Sequence, residues 1–199
     1  MKKVSFAKFR PVATVAILAI LWPLNGLSQP QVLRLQNHGY TVFWDIRNNV
    51  PAEVNWTLKP SDFSVKRKRV TKYFRTDSRT PKPRVKDSDY RGSSYMRGHM
   101  CPAADRTATT SMQKETFLMS NVAPQTTTLN CGLWASLEAR TRELAILYDS
   151  VHVRVGSLFL GADTIYIARG RIRVPSHFFR EVRYARTDSL LLWVIVPQN

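Results

Sequence analysis

Bulky apolar residues alternate with smaller or polar ones in Tyr40-Thr-Val-Phe-Trp-Asp45, the two-residue period of a strand. Residues 54–58 supply a partner strand, and Asn48-Asn49-Val50-Pro51 between the two carries turn-forming residues. Residues 29–37, ahead of this pair, form a leader without strong pattern. From 60 to 90 the chain is polar, basic and broken by Pro81 and Pro83, which predicts mostly loop. A strand over 97–102 follows, then a short loop over 103–110. The clearest helix covers about 129–148, where Leu133, Leu137, Leu144 and Tyr148 recur at helical spacing. Trp134 and Leu147 widen that face, and Arg140, Arg142 and Glu143 are expected outside it. Strands are predicted over 151–159, 164–168, 170–174 and 190–196, with Gly156 and Gly161 marking turns. The expected fold class is α+β, a mixed and mostly antiparallel sheet with flanking helices.

At 199 residues the chain suits one domain with a sizeable core. Its first 28 residues stand apart. Lys2, Lys3, Lys8 and Arg10 make a positive start, residues 12–24 are apolar, and small residues Gly26 and Ser28 precede a plausible cut. That is the layout of a secretory signal peptide, with an apolar run shorter than the roughly 20 residues of a membrane span. An uncleaved N-terminal anchor is the alternative. The expectation is a signal peptide over 1–28, one domain over 29–199, and a secreted or periplasmic location after bacterial export, with no stable membrane association once the signal is cleaved.

The charge balance narrows the partners. The chain has 30 basic and 14 acidic residues, a net charge of +16. Without residues 1–28, which hold four basic residues and no acidic one, 26 basic residues face 14 acidic ones and the charge is still +12. Eleven Lys or Arg fall between Lys66 and Arg91 against Asp77, Asp87 and Asp89. Taken alone such a run is a solvated loop; placed just before Arg97 and His99, it reads as a rim that attracts phosphates, and a polyanion becomes the natural partner. Two cysteines, Cys101 and Cys131, allow either a bridge or two free thiols, and they lack the company of a zinc site.

The densest chemistry lies in Met96-Arg-Gly-His-Met-Cys-Pro-Ala-Ala-Asp-Arg106, followed by Phe117-Leu-Met-Ser-Asn-Val-Ala-Pro-Gln125 and Leu129-Asn-Cys-Gly-Leu-Trp-Ala-Ser-Leu-Glu138. A histidine of ordinary pKa can take a proton from water at neutral pH, which makes His99 a candidate general base. An arginine fork can hold two phosphate oxygens at once, so Arg97 is a candidate clamp. In order and register the three blocks resemble the DNA/RNA non-specific endonuclease family, the ββα-metal nucleases whose core motif is Asp-Arg-Gly-His.

The resemblance implies a ββα-metal active-site motif and hydrolysis of DNA and RNA through phosphate contacts, leaving 5′-phosphates. It implies one hydrated Mg²⁺, replaceable by Mn²⁺, with Asn130 as its protein ligand and Glu138 near its water shell. A second arginine is expected before the family's Phe-x-x-Asp segment, here Phe74-Arg-Thr-Asp77, which points to Arg69, with Arg67 or Arg75 as fallbacks. Asn121 is expected to orient the site by hydrogen bonds. Each residue also has a plainer reading: Asn130 as a helix N-cap, Glu138 as an i,i+4 ion pair with Arg142, Asn121 as a turn residue.

Two departures stand out. Met96 replaces the aspartate that opens the family motif, and the chain stops soon after a strand where relatives often continue with a further helical segment. Met96 keeps a second class of function open, a catalytically weakened basic protein that binds nucleic acid without cutting it. A membrane-active cationic toxin fits the charge but not the long pattern of ordered elements.

Overall fold

In the computed structural model, residues 31–65, 68–71, 73–162 and 164–198 are described. The signal-peptide reading therefore falls outside the described residues, as do Lys66, Arg67 and Lys72 of the basic run. Along the chain come β1 (Val32–Asn37), β2 (Tyr40–Asp45), β3 (Val50–Leu58), α1 (Pro60–Phe63), β4 (Met96–His99), α2 (Thr110–Glu115), β5 (Val122–Gln125), α3 (Thr127–Cys131), α4 (Leu133–Tyr148), β6 (Val151–Leu158), β7 (Tyr166–Ile167), β8 (Ile172–Arg173), β9 (His177–Tyr184) and β10 (Leu190–Pro197). The fold is α+β, as the pattern predicts.

Six strands form one antiparallel sheet in the order β1-β2-β3-β6-β9-β10. Its two-residue period is plainest in β6, where Val151, Val153 and Val155 are buried while His152 and Arg154 face water. The inner face packs under α4 and the β4–β5 pair, around Trp44, Val54, Leu58, Trp134 and Phe178. On the outer face Arg154 pairs with Glu53 at 2.6 Å and Glu181 at 3.3 Å, and Arg183 pairs with Glu181 at 2.8 Å.

The turn between β2 and β3 explains a boundary. Asp45 Oδ1 accepts hydrogen bonds from the amides of Arg47 and Asn48, both at 2.9 Å, and Asn49 takes a left-handed φ of 53°. The turn therefore ends earlier than predicted, and Val50 and Pro51 already belong to β3. The proline fits because β6 pairs with β3 only from Glu53 onward.

Two strands, β1 and β9, are not among those that the periodicity predicts. Residues 29–37, expected as a leader, hold β1, an edge strand fixed by its pairing with β2. β9 mixes both sides of the sheet, with Arg180 and Glu181 both buried, so alternation is masked in the sequence.

The predicted helix over 129–148 is two helices. Gly132 sits between them at φ −105° and ψ −106°, and a Cβ there would lie 2.5 Å from the Thr128 carbonyl oxygen. The break resets the buried face of α4. Trp134, Thr141, Leu144 and Ala145 are buried, whereas Leu133 and Leu147 are 52% and 71% exposed. Thr141 escapes a hydropathy reading because its hydroxyl is satisfied by the Leu137 carbonyl at 2.7 Å. Arg142, expected outward, instead turns in to Asp105 at 2.9 Å.

Candidate active site

β4 and β5 pair antiparallel, with His99 opposite Val122 and Met96 opposite Gln125, and lead into α3 and α4. Gly98 makes this pairing possible. A Cβ at Gly98 would meet the buried Gln125 side chain at 2.2 Å, so only glycine lets β5 press this close behind the histidine. Asn121 locks the segment that follows: its Oδ1 accepts from the Cys101 amide, and its Nδ2 donates to the carbonyls of Cys101 and Thr116, each at 2.9 Å. Asn121 is fully buried and acts on geometry rather than on anything in the cavity. Trp134, from α4, donates its indole N–H to the His99 carbonyl at 3.2 Å and ties the helix to the strand.

These elements surround an open cavity of about 740 Å³ whose lining includes Arg69, Met96, Arg97, His99, Asn130 and Glu138. Of the candidate site residues, Arg69, Arg97, His99, Asn130 and Glu138 thus meet in one place, with Asn121 behind them. The fallback Arg75 does not line it; its backbone bridges Phe117 and Met119, which anchors the loop. A second groove of about 640 Å³ crosses the outer sheet face, but its Arg154, Glu181 and Arg183 already neutralise one another.

His99 is wedged between Phe74, at 5.0 Å, and the edge of Phe117, at 4.9 Å between ring centroids. Burial, with Arg69 nearby, pushes its pKa down to about 3. The imidazole is therefore neutral at physiological pH, and its buried Nε2 has no hydrogen-bond partner among the described residues. Arg69 stacks over Phe117 at 4.6 Å and is exposed, held in place where the Val70 amide donates to Gln113 Oε1 at 2.8 Å. Gln113 and the two phenylalanines were missed by sequence reasoning. Phe74 and Phe117 lie within the family-like segments, but only the fold reveals them as the walls of the histidine.

Arg97 lines the cavity too, yet its Nε lies 2.6 Å from the Asp87 carboxylate and its Nη2 donates to the Asp87 carbonyl at 2.6 Å. Of the two arginines, Arg69 is the one without an ion pair among the described residues.

Glu138 does not make the i,i+4 ion pair with Arg142, whose partner is Asp105. It is left as a partly buried carboxyl without an ion pair or hydrogen bond among the described residues, and burial pushes its pKa up to about 7, against the pull of Arg180. Asn130 is not an N-cap either: α3 starts three residues earlier, capped by the Thr126 hydroxyl, which accepts from the Leu129 amide at 3.3 Å. The Asn130 amide nitrogen faces Met96 Sδ at 3.5 Å, and its Oδ1 accepts no hydrogen bond among the described residues. An unengaged amide oxygen and an unpaired carboxylate suit a small hard cation that keeps most of its water. No cluster of three or more His, Cys, Asp or Glu that could hold a metal directly occurs among the described residues.

The cysteines settle as free thiols, Cys101 buried and Cys131 exposed. The bridge, one of two readings of the sequence, is not formed.

Comparison with known proteins agrees with this fold. A family model described as DNA/RNA non-specific endonuclease matches residues 24–198. Mitochondrial endonuclease G of Bos taurus is 38% identical over 106 residues, 49% of this chain and 36% of the relative. Nuclease C1 of Cunninghamella echinulata var. echinulata is 37% identical over 111 residues, 51% of this chain and 44% of the relative. A nuclease of Nostoc sp. is 44% identical over 112 residues, 55% of this chain and 39% of the relative. The matches thus span between about a third and a half of these curated relatives. The crystal structure of the EndoG/EndoGI complex holds a chain that superposes with a TM-score of 0.75 at 30% identity, covering 83% of this chain and 74% of that one.

Proposed function

Because this chain belongs to the DNA/RNA non-specific endonuclease family, we propose that its cavity hydrolyses phosphodiester bonds of both DNA and RNA, with His99 as general base. The observation that carries the reading is the neutral His99 with an unengaged Nε2, in one cavity with Arg69, Asn130 and Glu138. The protein is exported, in this reading, and acts on nucleic acid outside the cytoplasm.

The scissile phosphate docks against Arg69, whose guanidinium is free to pair with its oxygens. That pairing offsets the push of Arg69 on the imidazole, so His99 becomes a better base when substrate arrives. His99 Nε2 then takes a proton from a water molecule that attacks phosphorus. Phe74 and Phe117 hold the ring on line, and Asn121 and Trp134 hold its backbone. Asn130 Oδ1 would hold a hydrated Mg²⁺, or Mn²⁺ in its place, and when bound this ion stabilises charge on the phosphate and on the departing oxygen. Glu138, ionised above about pH 7, accepts hydrogen bonds from the waters of that region. The 5′-phosphate stays with the product. Binding dominated by phosphates carries little sequence preference and weakens steeply with salt.

Digestion of plasmid and RNA by the protein starting at Gln29, with Mg²⁺ and with EDTA, beside His99→Ala, tests the proposal. The expected result is Mg²⁺-dependent cleavage of both substrates that drops by about 10²–10⁴-fold in the variant. Wild type that shifts DNA in a gel without cutting it points to the binding protein instead.

A further inference from the structure

The residue that departs from the family motif has a neighbour of matching chemistry. Met96 Sδ lies 3.8 Å from Cys131 Sγ, and the Asn130 amide nitrogen approaches both, at 3.5 and 4.0 Å. Met96 is 36% exposed and Cys131 is exposed, so both residues lie at the surface beside the cavity. Neither is loosely held. Met96 is pinned by its pairing with Gln125, and Cys131 closes α3 directly before Gly132, where no side chain fits.

We propose that Met96 and Cys131 form a binding site for a soft monovalent cation of the copper(I) class, adjoining the position at which Asn130 would hold a hard divalent ion. A thioether and a thiolate are the donors that select such cations over Mg²⁺. Two sulfurs 3.8 Å apart are spanned by bonds of roughly 2.3 Å meeting at about 110°, so the ion needs no backbone movement to enter. Zinc takes thiolate, imidazole and carboxylate ligands rather than a thioether, so the Met96 sulfur favours the copper(I) class over thiophilic divalent ions. On binding, the Cys131 thiol releases its proton to solvent and the thiolate coordinates the cation, with no change of oxidation state. The other cysteine does not compete: Cys101 is fully buried, and burial pushes its thiol up to about 12.

Anaerobic titration of the protein with copper(I), supplied as an acetonitrile complex and read against a chromophoric copper(I) chelator, tests the site. Wild type is expected to bind one ion per chain. Met96→Leu should weaken binding at least tenfold and Cys131→Ser at least a hundredfold, both surface changes whose folding circular dichroism confirms. X-ray absorption at the copper edge should show two sulfur neighbours in wild type and fewer in either variant. Equal affinity of Met96→Leu and wild type overturns the proposal, because the thiol would then act alone; so does failure of wild type to bind. The titration contains no nucleic acid, so its outcome is independent of whether the protein cleaves. If the nuclease reading also holds, copper(I) should inhibit cleavage by wild type and the chelator should restore it.

Discussion

The outer face of the sheet and the cavity both display arginines and carboxylates, but they treat them in opposite ways. On the sheet, Arg154, Glu53, Glu181 and Arg183 form a closed lattice, and Arg183 and Arg154 together hold Glu181 below the usual carboxylate range against the effect of burial. In the cavity, Arg69 and Glu138 have no ion pair among the described residues, and His99 has an unengaged ring nitrogen. Charge that folding has already neutralised contributes to solubility and a little to stability. Charge left unneutralised, in a concave site and at some cost, is what a substrate can use.

The sharpest way to break this comparison is to remove the unpaired carboxylate. Glu138→Gln should lower Mg²⁺-dependent cleavage by about 10²-fold or more, of the order seen for loss of an electrostatic group at a reacting centre. The same change should raise stability at pH 8. A folded-state pKa raised to about 7 means the ionised form is disfavoured by folding, so Glu138 costs stability increasingly as pH rises from its unfolded value through 7. Thermal melts should place the variant above wild type at pH 8, by about 2–4 °C for each kcal/mol relieved, and close to it at pH 5. An unchanged melting temperature at both pH values would mean that the carboxylate is solvated rather than held in reserve.

Arg69 and Arg154 give the next contrast. Arg69→Ala should reduce kcat/KM by about 10–100-fold and reduce the slope of log affinity against log salt by about one, as expected for one lost phosphate contact. Arg154→Ala should leave both unchanged and cost about 0–1 kcal/mol of stability, the usual worth of an exposed pair. Equal kinetic effects would show that net charge rather than placement governs binding.

A third contrast sets a carboxylate that folding does use against Glu138. Asp77 is buried; burial alone would raise its pKa, but hydrogen bonds from Arg79 at 2.9 and 2.7 Å and from Ser120 at 2.6 Å outweigh that and lower it. Its stabilisation is fully present above the unfolded pKa and is lost as pH falls through the lower folded value. Asp77→Asn should therefore cost about 2 kcal/mol at pH 7, the scale of hydrogen bonds to a charged group, and flatten the acid limb of a stability–pH curve. The loop that Asp77 anchors carries Arg69 and Phe74, so stability and cleavage should fall together here, in contrast to Glu138→Gln.

What was legible in the sequence follows the same divide. β2 and β6 declare themselves by alternation and β10 by an unbroken apolar run, and the blocks around His99, Asn121, Asn130 and Glu138 bring to one region residues far apart in the chain. The N-cap role for Asn130 and the ion pair for Glu138 are reasonable local readings that the structure overturns, the first locally, because Thr126 caps an earlier helix start, and the second through tertiary structure, because Asp105 takes Arg142. Arg97 was the first candidate clamp, but Asp87, ten residues earlier, occupies it. No local pattern reveals that Gly132 splits the helix or that Gln113 holds the loop of Arg69. Those facts depend on which surfaces meet, and periodicity describes one surface at a time.

The smallest expected effect concerns the motif position itself. Met96 opens β4 beside Asn130 and supplies a sulfur where the family motif has a carboxylate. Met96→Asp would place a hard oxygen donor next to the Asn130 amide, in a cavity with Arg69, Arg97 and an isolated Glu138. Magnesium prefers such donors, directly or through its waters, so the Mg²⁺ concentration for half-maximal cleavage should fall by several-fold. The added charge enters the cavity that Glu138 also lines, and like charges oppose ionisation, so the alkaline activation of cleavage should shift upward in pH. A variant that needs no less Mg²⁺ than wild type would show that position 96 does not face the metal, and that the departure from the motif concerns the sulfur pair alone.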